Sequence, residues 1–398
     1  MENGFVRKPS GLEAFFVDLD AGGCNMTIHF YLQLDRKPDV DRLRKTMQQI
    51  LSTHFGADMR FYKNAWYTSS YTHNCPVIEV EDYDLSSYTP PKLDFRQSTV
   101  DIKVLHATLS DTWYIGFDFF HGVMDGRSII QFVYDFFDFL NNRKHPEPEF
   151  TLNAYEVLND DGAANKDKIR DAFTIFPQCV PYHWEIKKEG EDRNVIICHQ
   201  GTIRATSARF ATVVSKLFNK KSAKMIIPVD IRCHAEQNNK NLYGNLFVPM
   251  FVDTANYPEW TETQDEIVHF AKHKSHIRSM AKKLNIYRKI PTKFRQFVIR
   301  HAIPLVMSRK KFIYCALVSS LGSIDSKRLC CEDLAVRDCF VSFVSFPFAA
   351  FSVISLQYEG HTNTSIAWHS GRVPEKTVNT LVSGINDCMH KEALKPST

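Results

Sequence analysis

The residues best suited to chemistry form a short motif near position 120. His121 is followed by Asp125 and Gly126, which gives the pattern HxxxDG. Residues 114–119 are aromatic and apolar, which predicts a strand, and apolar spacing over 126–140 predicts a helix. Neutral imidazole at such a strand-to-helix corner is a useful general base, because its ordinary pKa of roughly 6.5 lies near working pH. The glycine allows a sharp turn and the close approach of a ligand.

A simpler interpretation of His121 exists, namely a ring at the edge of the core that bonds to a backbone carbonyl. The motif fixes only three residues in a chain with 16 histidines. The pattern alone therefore leaves the catalytic and structural interpretations open.

Composition limits the class of protein. A chain of 398 residues is expected to form two domains of roughly 150 to 200 residues. Its 44% hydrophobic and 24% charged residues are typical of a soluble globular protein. Thirty phenylalanines favour aromatic interiors with room for an apolar pocket. The net charge of +4 comes from scattered basic residues, which argues against a nucleic-acid partner.

The ten cysteines show no CxxC pair and no metal-ligand spacing. We therefore expect buried free thiols in a reducing cytoplasm and no metal site. The polar first residues predict no signal peptide. Residues 340–357 contain no charge, but their serines, Pro347 and near-alternation favour two buried strands over a membrane span.

The order of elements predicts an α/β protein with two similar lobes and mixed sheets. Residues 25–34 alternate as a half-buried strand, and a helix with a 3.6-residue period follows Asp39. Residues 141–193 are rich in Pro, Lys, Asp and Glu, which indicates a connection between lobes. The prediction is an N-terminal lobe over 1–175, which carries HxxxDG, and a C-terminal lobe over 176–398.

Three further motifs follow HxxxDG in the chain. They are Ile227-Pro228-Val229-Asp230-Ile231-Arg232, Tyr243-Gly244-Asn245 and Val318-Ser319-Ser320-Leu321-Gly322. In this order the four resemble the motifs of the chloramphenicol-acetyltransferase-like superfamily, which includes condensation domains of peptide synthetases, BAHD acyltransferases and alcohol acetyltransferase-like proteins. The resemblance covers essentially the whole chain.

Two positions depart from the superfamily pattern. Condensation domains usually carry HHxxxDG, and Phe120 stands here in place of the first histidine. The single-histidine form is typical of free-standing acyltransferases, which makes peptide bond formation on an assembly line a less favoured interpretation. Ser320 replaces the usual asparagine of the last motif.

The resemblance implies a tunnel between the lobes in which an acyl thioester meets an alcohol or amine, with His121 as general base. It also implies that Asp125 turns away from His121 and pairs with Arg232 in a structural role. Acyl-CoA would be a co-substrate, with no permanently bound cofactor. Alternatives are condensation on groups bound to an acyl carrier protein, or a non-catalytic relative that only binds acyl carriers.

Four other residues are candidate site residues with alternative roles. Gly126 either permits the turn or also presents its backbone N–H to the reacting carbonyl. Asn245, Ser319 and Ser320 either bind substrate on the tunnel wall or are ordinary polar residues of turns and strand ends.

A run of basic residues between 282 and 311 either attracts phosphates of coenzyme A or a carrier arm, or is the solvated face of helices. Apolar residues beside it, such as Phe294 and Phe297, leave peripheral membrane contact open. We expect a monomer.

Overall fold

The computed structural model of the chain describes residues 4–54, 56–85, 88–143, 149–150, 180–181, 190–218, 223–234, 242–257, 259–308, 311–343 and 345–393. The helices of these residues are α1 (Gly11–Ala21), α2 (Val40–Thr53), α3 (Gly126–Leu140), α4 (Thr206–Ser215), α5 (Trp260–Lys272), α6 (Lys274–Lys289), α7 (Thr292–Ser308) and α8 (Glu375–Ala393).

The strands of the first half are β1 (Phe5–Arg7), β2 (Thr27–Leu34), β3 (Met59–Tyr62), β4 (Ala65–Thr68), β5 (Val77–Val80), β6 (Val100–Ala107), β7 (Thr112–Phe120), β8 (Glu149–Phe150) and β9 (Val180–Pro181). Those of the second half are β10 (Asp192–Gln200), β11 (Lys224–Asp230), β12 (Leu242–Tyr243), β13 (Phe247–Asp253), β14 (Lys311–Phe312), β15 (Tyr314–Ser323), β16 (Val336–Phe343), β17 (Ala349–Tyr358) and β18 (His361–His369).

The first lobe is built on a five-stranded sheet in the order β16-β2-β7-β6-β5. Only β5 and β6 pair in parallel within it. Helix α3 buries Ile129, Phe132, Val133 and Phe136, whose spacing of three and four residues forms one apolar side. This lobe therefore packs aromatic side chains between its sheet and its helices, as the thirty phenylalanines predict.

The second lobe is built on a six-stranded sheet in the order β10-β18-β17-β15-β11-β13. Strand β15 pairs in parallel with both β17 and β11, and the other pairs are antiparallel. Helices α4 and α8 lie against each other and cover a separate core. The predicted α/β class with two lobes and mixed sheets is confirmed.

The charge-free segment 340–357 forms parts of two buried strands, as predicted. The two strands belong to different sheets, because β16 pairs with β2 at the edge of the first lobe while β17 lies inside the second. Residues 336–343 therefore cross from the C-terminal half into the N-terminal lobe, and the lobes interlock. The predicted boundary between residues 175 and 176 lies outside the described residues.

Two local features depart from the sequence pattern. Residues 263–284 have the composition of one long helix, but they belong to two helices, α5 and α6, separated at His273. Helix α1 was not expected, although Ser10 and Glu13 form a capping box at its start.

The nine cysteines among the described residues are free thiols, and three of them, Cys198, Cys233 and Cys330, are exposed rather than buried. Among the described residues, no helix has both the length and the apolar character to cross a membrane. A cytoplasmic location stays a prediction.

Candidate functional site

His121 lies at the end of β7, where the chain turns into α3. Its backbone N–H donates to the carbonyl of Met26 at 2.9 Å. Its ring Nδ1 lies 3.2 Å from the carbonyl oxygen of Met124. Because a carbonyl oxygen can only accept, Nδ1 carries the proton in this contact. The lone pair is then on Nε2, for which no hydrogen bond is found among the described residues.

Aromatic rings from both lobes surround the imidazole. The ring centroid of Phe16, on α1, lies 4.5 Å from that of His121, and those of Phe247 and Phe343 lie at 5.6 and 5.8 Å. Burial among these rings lowers the pKa of His121, because the apolar surroundings disfavour the charged imidazolium. The ring is therefore neutral at neutral pH.

Asp125 does not face His121, because both its oxygens are bound elsewhere. Arg232 donates to Oδ1 and Oδ2 at 2.9 and 3.0 Å, which is a bidentate pair between the lobes. The backbone N–H groups of Ser128 and Leu246 also donate to this carboxylate, at 2.9 and 2.7 Å. Burial would raise the pKa of Asp125, but Arg232 and these donors outweigh it and hold the pKa low.

The turn at Gly244 ties the motifs of the two lobes together. Gly244 has φ +140°, a conformation that favours glycine. Its carbonyl accepts a 2.8 Å hydrogen bond from Ser128 Oγ, which also receives a 2.7 Å bond from Arg232. The hydroxyl of the preceding residue, Tyr243, donates a hydrogen bond to the buried carboxylate of Asp135. The turn is thus fixed on both sides.

Asn245 holds the backbone of the histidine loop. Its Nδ2 donates to the carbonyl of His121 at 2.6 Å and to that of Gly122 at 3.3 Å. Both amide hydrogens are therefore used, and the remaining Oδ1 can only accept. In this state the side chain has no hydrogen left to donate and positions the loop, and a contact of Asn245 with substrate stays a prediction.

Gly126 is the first residue of α3, with Asp125 as the N-cap. A Cβ at Gly126 would lie 2.3 Å from Cδ2 of Leu321, on β15. Gly126 thus packs closely against β15 of the other lobe, and a larger residue would have to displace this terminal methyl of Leu321. A role of its N–H toward a reacting carbonyl stays a prediction.

Ser319 and Ser320 lie on opposite faces of β15, because side chains alternate along a strand. Half-buried Ser319 shares the face of Leu321, which reaches Gly126. Ser320 is exposed and lines a cavity of about 360 Å³ with Asp230 and Gln264. Among the described residues neither serine contacts the His121 ring, so a substrate-binding role of Ser319 or Ser320 stays a prediction.

A second cavity, of about 340 Å³, lies where the lobes meet. Residues 22–25, which follow α1, form one side, and His369 and Arg372 form the other. Asn25 in its wall directly precedes Met26, the backbone partner of His121. His121 is not among the described residues that line either cavity, so a tunnel to its ring stays a prediction.

Sequence analysis missed the three rings that surround His121. Phe16 is more than one hundred positions away, and Phe343 reaches the site only because β16 crosses between lobes. The capping box at Ser10 could have revealed α1, but no local signal placed that helix beside the motif.

Cys198, Asp338 and His361 form a group whose ligand atoms lie within 4.8 Å of one another. They come from three strands, so spacing along the chain could not indicate the group. Asp338 already accepts hydrogen bonds from His361 at 2.8 Å and Asn363 at 2.6 Å. Two members of the group, Asp338 and His361, are therefore hydrogen-bonded to each other.

Neither protein-family models nor curated protein sequences match the chain. Solved structures do match over nearly its full length. The condensation domain of the monacolin K polyketide synthase MokA has a TM-score of 0.64 at 10% identity, covering 99% of both chains. The trichothecene 15-O-acetyltransferase TRI3 from Fusarium sporotrichioides has a TM-score of 0.61 at 12% identity, covering 96% of this chain and 94% of its own.

Polyketide synthase associated protein 5 from Mycobacterium tuberculosis has a TM-score of 0.57 at 14% identity, covering 98% of this chain and 99% of its own. The chain therefore has the same fold as these solved structures, which include a condensation domain and an acetyltransferase. Because both kinds of protein are similar to it, the fold does not distinguish between them.

Proposed function

We propose that the protein transfers an acyl group from a thioester, with acyl-CoA as the donor, to an alcohol or amine, and that His121 is the general base. The observation that carries this proposal is the state of the imidazole. Its Nδ1–H donates to the Met124 carbonyl, burial keeps the ring neutral, and Nε2 retains its lone pair.

In the proposed step, Nε2 takes the proton from the acceptor hydroxyl or amine as that group attacks the thioester carbonyl. The tetrahedral intermediate then collapses, the bond from carbon to sulfur breaks, and the thiolate recovers the proton from the imidazolium. Proton transfer of this kind contributes roughly 10²–10⁴-fold to a rate. The chemistry needs no resident cofactor, and the fold supports it by placing His121 between two lobes.

Phe120 favours a free donor over condensation on a carrier. Where condensation domains resembled by the sequence carry a histidine, this chain buries Phe120 against Phe95, with ring centroids 4.5 Å apart. A second imidazole is therefore replaced by an apolar contact within the core of the first lobe.

The experiment is free-thiol release from acetyl-CoA and longer acyl-CoA thioesters with a panel of alcohols and amines. His121→Ala should lower kcat/KM by about 10²–10⁴-fold. A matched control, His390→Ala at an exposed histidine of α8, should keep the wild-type rate. Full activity of His121→Ala would exclude the general base, and wild-type release only from a loaded carrier protein would favour condensation.

The same assay gives the pH dependence. Because burial lowers the pKa of His121, the neutral base should persist below pH 6.5, and the acidic limb of kcat/KM should fall at lower pH than for free imidazole. An acidic limb centred above pH 6.5 would contradict this assignment.

A further inference from the structure

Helices α6 and α7 form a helix pair whose charge differs sharply from that of the chain. Residues 267–324 contain thirteen Lys and Arg and none of the 45 acidic residues. The whole chain carries a net charge of only +4, so the rest of it has more acidic than basic residues. No carboxylate within this segment can neutralise its cations.

The solvent side of α7 is apolar as well as cationic. Phe294 and Phe297 are 59% and 58% exposed, and Val298 is 43% exposed. Their spacing of three and four residues places them on one helix face. Ile286, on α6, is 56% exposed. Isolated exposed apolar residues are ordinary, but a stripe of this size on one helix marks an interaction surface.

The opposite side of α7 anchors the helix pair to the protein. Arg295 is buried and donates from Nε to Asp18 on α1 at 2.7 Å, and the Tyr287 hydroxyl donates to the same carboxylate at 2.7 Å. Among the other cations, Lys282, Lys289 and Lys293 are exposed. The basic run therefore includes a buried anchor, Arg295, as well as outward-facing lysines.

We propose that the α6–α7 pair binds the surface of a membrane that contains anionic phospholipid. Exposed phenylalanine and valine on a helix with flanking lysines can enter the boundary between headgroups and acyl chains, while the lysines attract the anionic headgroups. Charge complementarity alone would also suit an acidic carrier protein. The apolar stripe favours the membrane, because insertion at the boundary between headgroups and acyl chains would remove the exposed surface of Phe294, Phe297 and Val298 from water.

Helix α1 lies between the α6–α7 surface and the candidate site at His121. Helix α1 contacts both α6 and α7, and its Phe16 packs against His121. An apolar acceptor dissolved in the bilayer would therefore be concentrated near the site. The membrane proposal does not depend on the acyl-transfer proposal, because vesicle binding and thiol release are measured separately.

The test is co-sedimentation of the full chain with vesicles of phosphatidylcholine alone and with vesicles that also contain phosphatidylserine. We expect binding to the anionic vesicles that weakens as salt is added. The double variant Lys289→Glu/Lys293→Glu should weaken this binding by at least about tenfold. The control Lys216→Glu/Lys376→Glu changes the net charge equally at exposed lysines elsewhere and should bind like wild type.

A second pair of variants tests the exposed apolar residues of α7. Phe294→Ser/Phe297→Ser should reduce binding to anionic vesicles several-fold, whereas Tyr83→Ser/Leu109→Ser, at exposed residues of the first lobe, should not. All four variants should keep the thiol-release rate in detergent-free buffer with a soluble acceptor. No binding of wild type to anionic vesicles, equal loss in test and control variants, or capture of an acidic carrier protein without vesicle binding would overturn the proposal.

Discussion

Two histidines of the first lobe, half-buried His121 and buried His73, have opposite charge states at neutral pH. His73 lies between two carboxylates, with Nε2 3.1 Å from Asp58 and Nδ1 3.3 Å from Asp101. Burial opposes its protonation, but these carboxylates outweigh burial and raise the pKa of His73 to about 9. His121 has no carboxylate on its ring, and burial lowers its pKa.

The difference shows that burial alone does not determine the charge of an imidazole. Each histidine lies near an aspartate, but the carboxylate of Asp125 is bound by Arg232 and by two backbone N–H groups. Arg232 therefore does more than join the lobes, because it keeps a carboxylate away from the imidazole. In the proposed mechanism, the second lobe therefore influences the charge state of the base in the HxxxDG motif through Arg232.

The largest expected effect is the loss of stability when the Asp125–Arg232 ion pair is broken. Arg232→Met leaves a buried carboxylate without its partner, which should lower the free energy of unfolding by about 3–5 kcal/mol in urea denaturation. The exposed arginine of a surface pair gives the control, since Arg36→Met should leave the urea midpoint almost unchanged.

A second variant separates charge from packing. Asp125→Asn/Arg232→Met removes both charges and should recover part of the stability lost in Arg232→Met. If the single variant unfolds at the wild-type urea concentration, the pair does not hold the lobes together.

The next expected effect is the pH dependence of stability that His73 creates. A raised pKa in the folded state stabilises the fold fully below pH 6.5, and this stabilisation is lost as pH rises through about 9. The difference in unfolding free energy between wild type and His73→Gln should therefore shrink by up to about 3 kcal/mol over this range. Parallel curves for the two proteins, measured by urea denaturation from pH 6 to 10, would show that Asp58 and Asp101 do not hold the proton on His73.

The sequence predicted this contrast only in part. Local periodicity predicted the strand and helix on either side of His121, whereas the pairing of Asp125 with Arg232 was implied by the family resemblance alone. It did not reveal the carboxylates around His73, since Asp58 and Asp101 come from different segments. Contacts across a sheet depend on strand order, which local patterns do not encode.

The surroundings of His121 illustrate the same limit. The apolar run over 340–357 predicted burial correctly, but burial does not say which sheet a strand joins. Strand β16 joins the first lobe and carries Phe343 to the imidazole. Likewise, Ser319 and Ser320 are equivalent in sequence. Only the structure shows that Ser319 is half-buried and Ser320 is exposed on β15, where successive side chains point to opposite faces.

The smallest expected effect, and the sharpest test of the comparison, is at Asn245. Asn245→Ala removes the two hydrogen bonds to the histidine loop and should lower kcat/KM about tenfold, the rate equivalent of roughly 1–2 kcal/mol. Asn245→Asp removes the same bonds and also adds a carboxylate beside the loop, which gives His121 part of the environment of His73. Its acidic limb should then move to higher pH than that of Asn245→Ala, because a nearby negative charge favours the imidazolium. If the two variants share one pH profile in the thiol-release assay, charges near the loop do not control the state of the base.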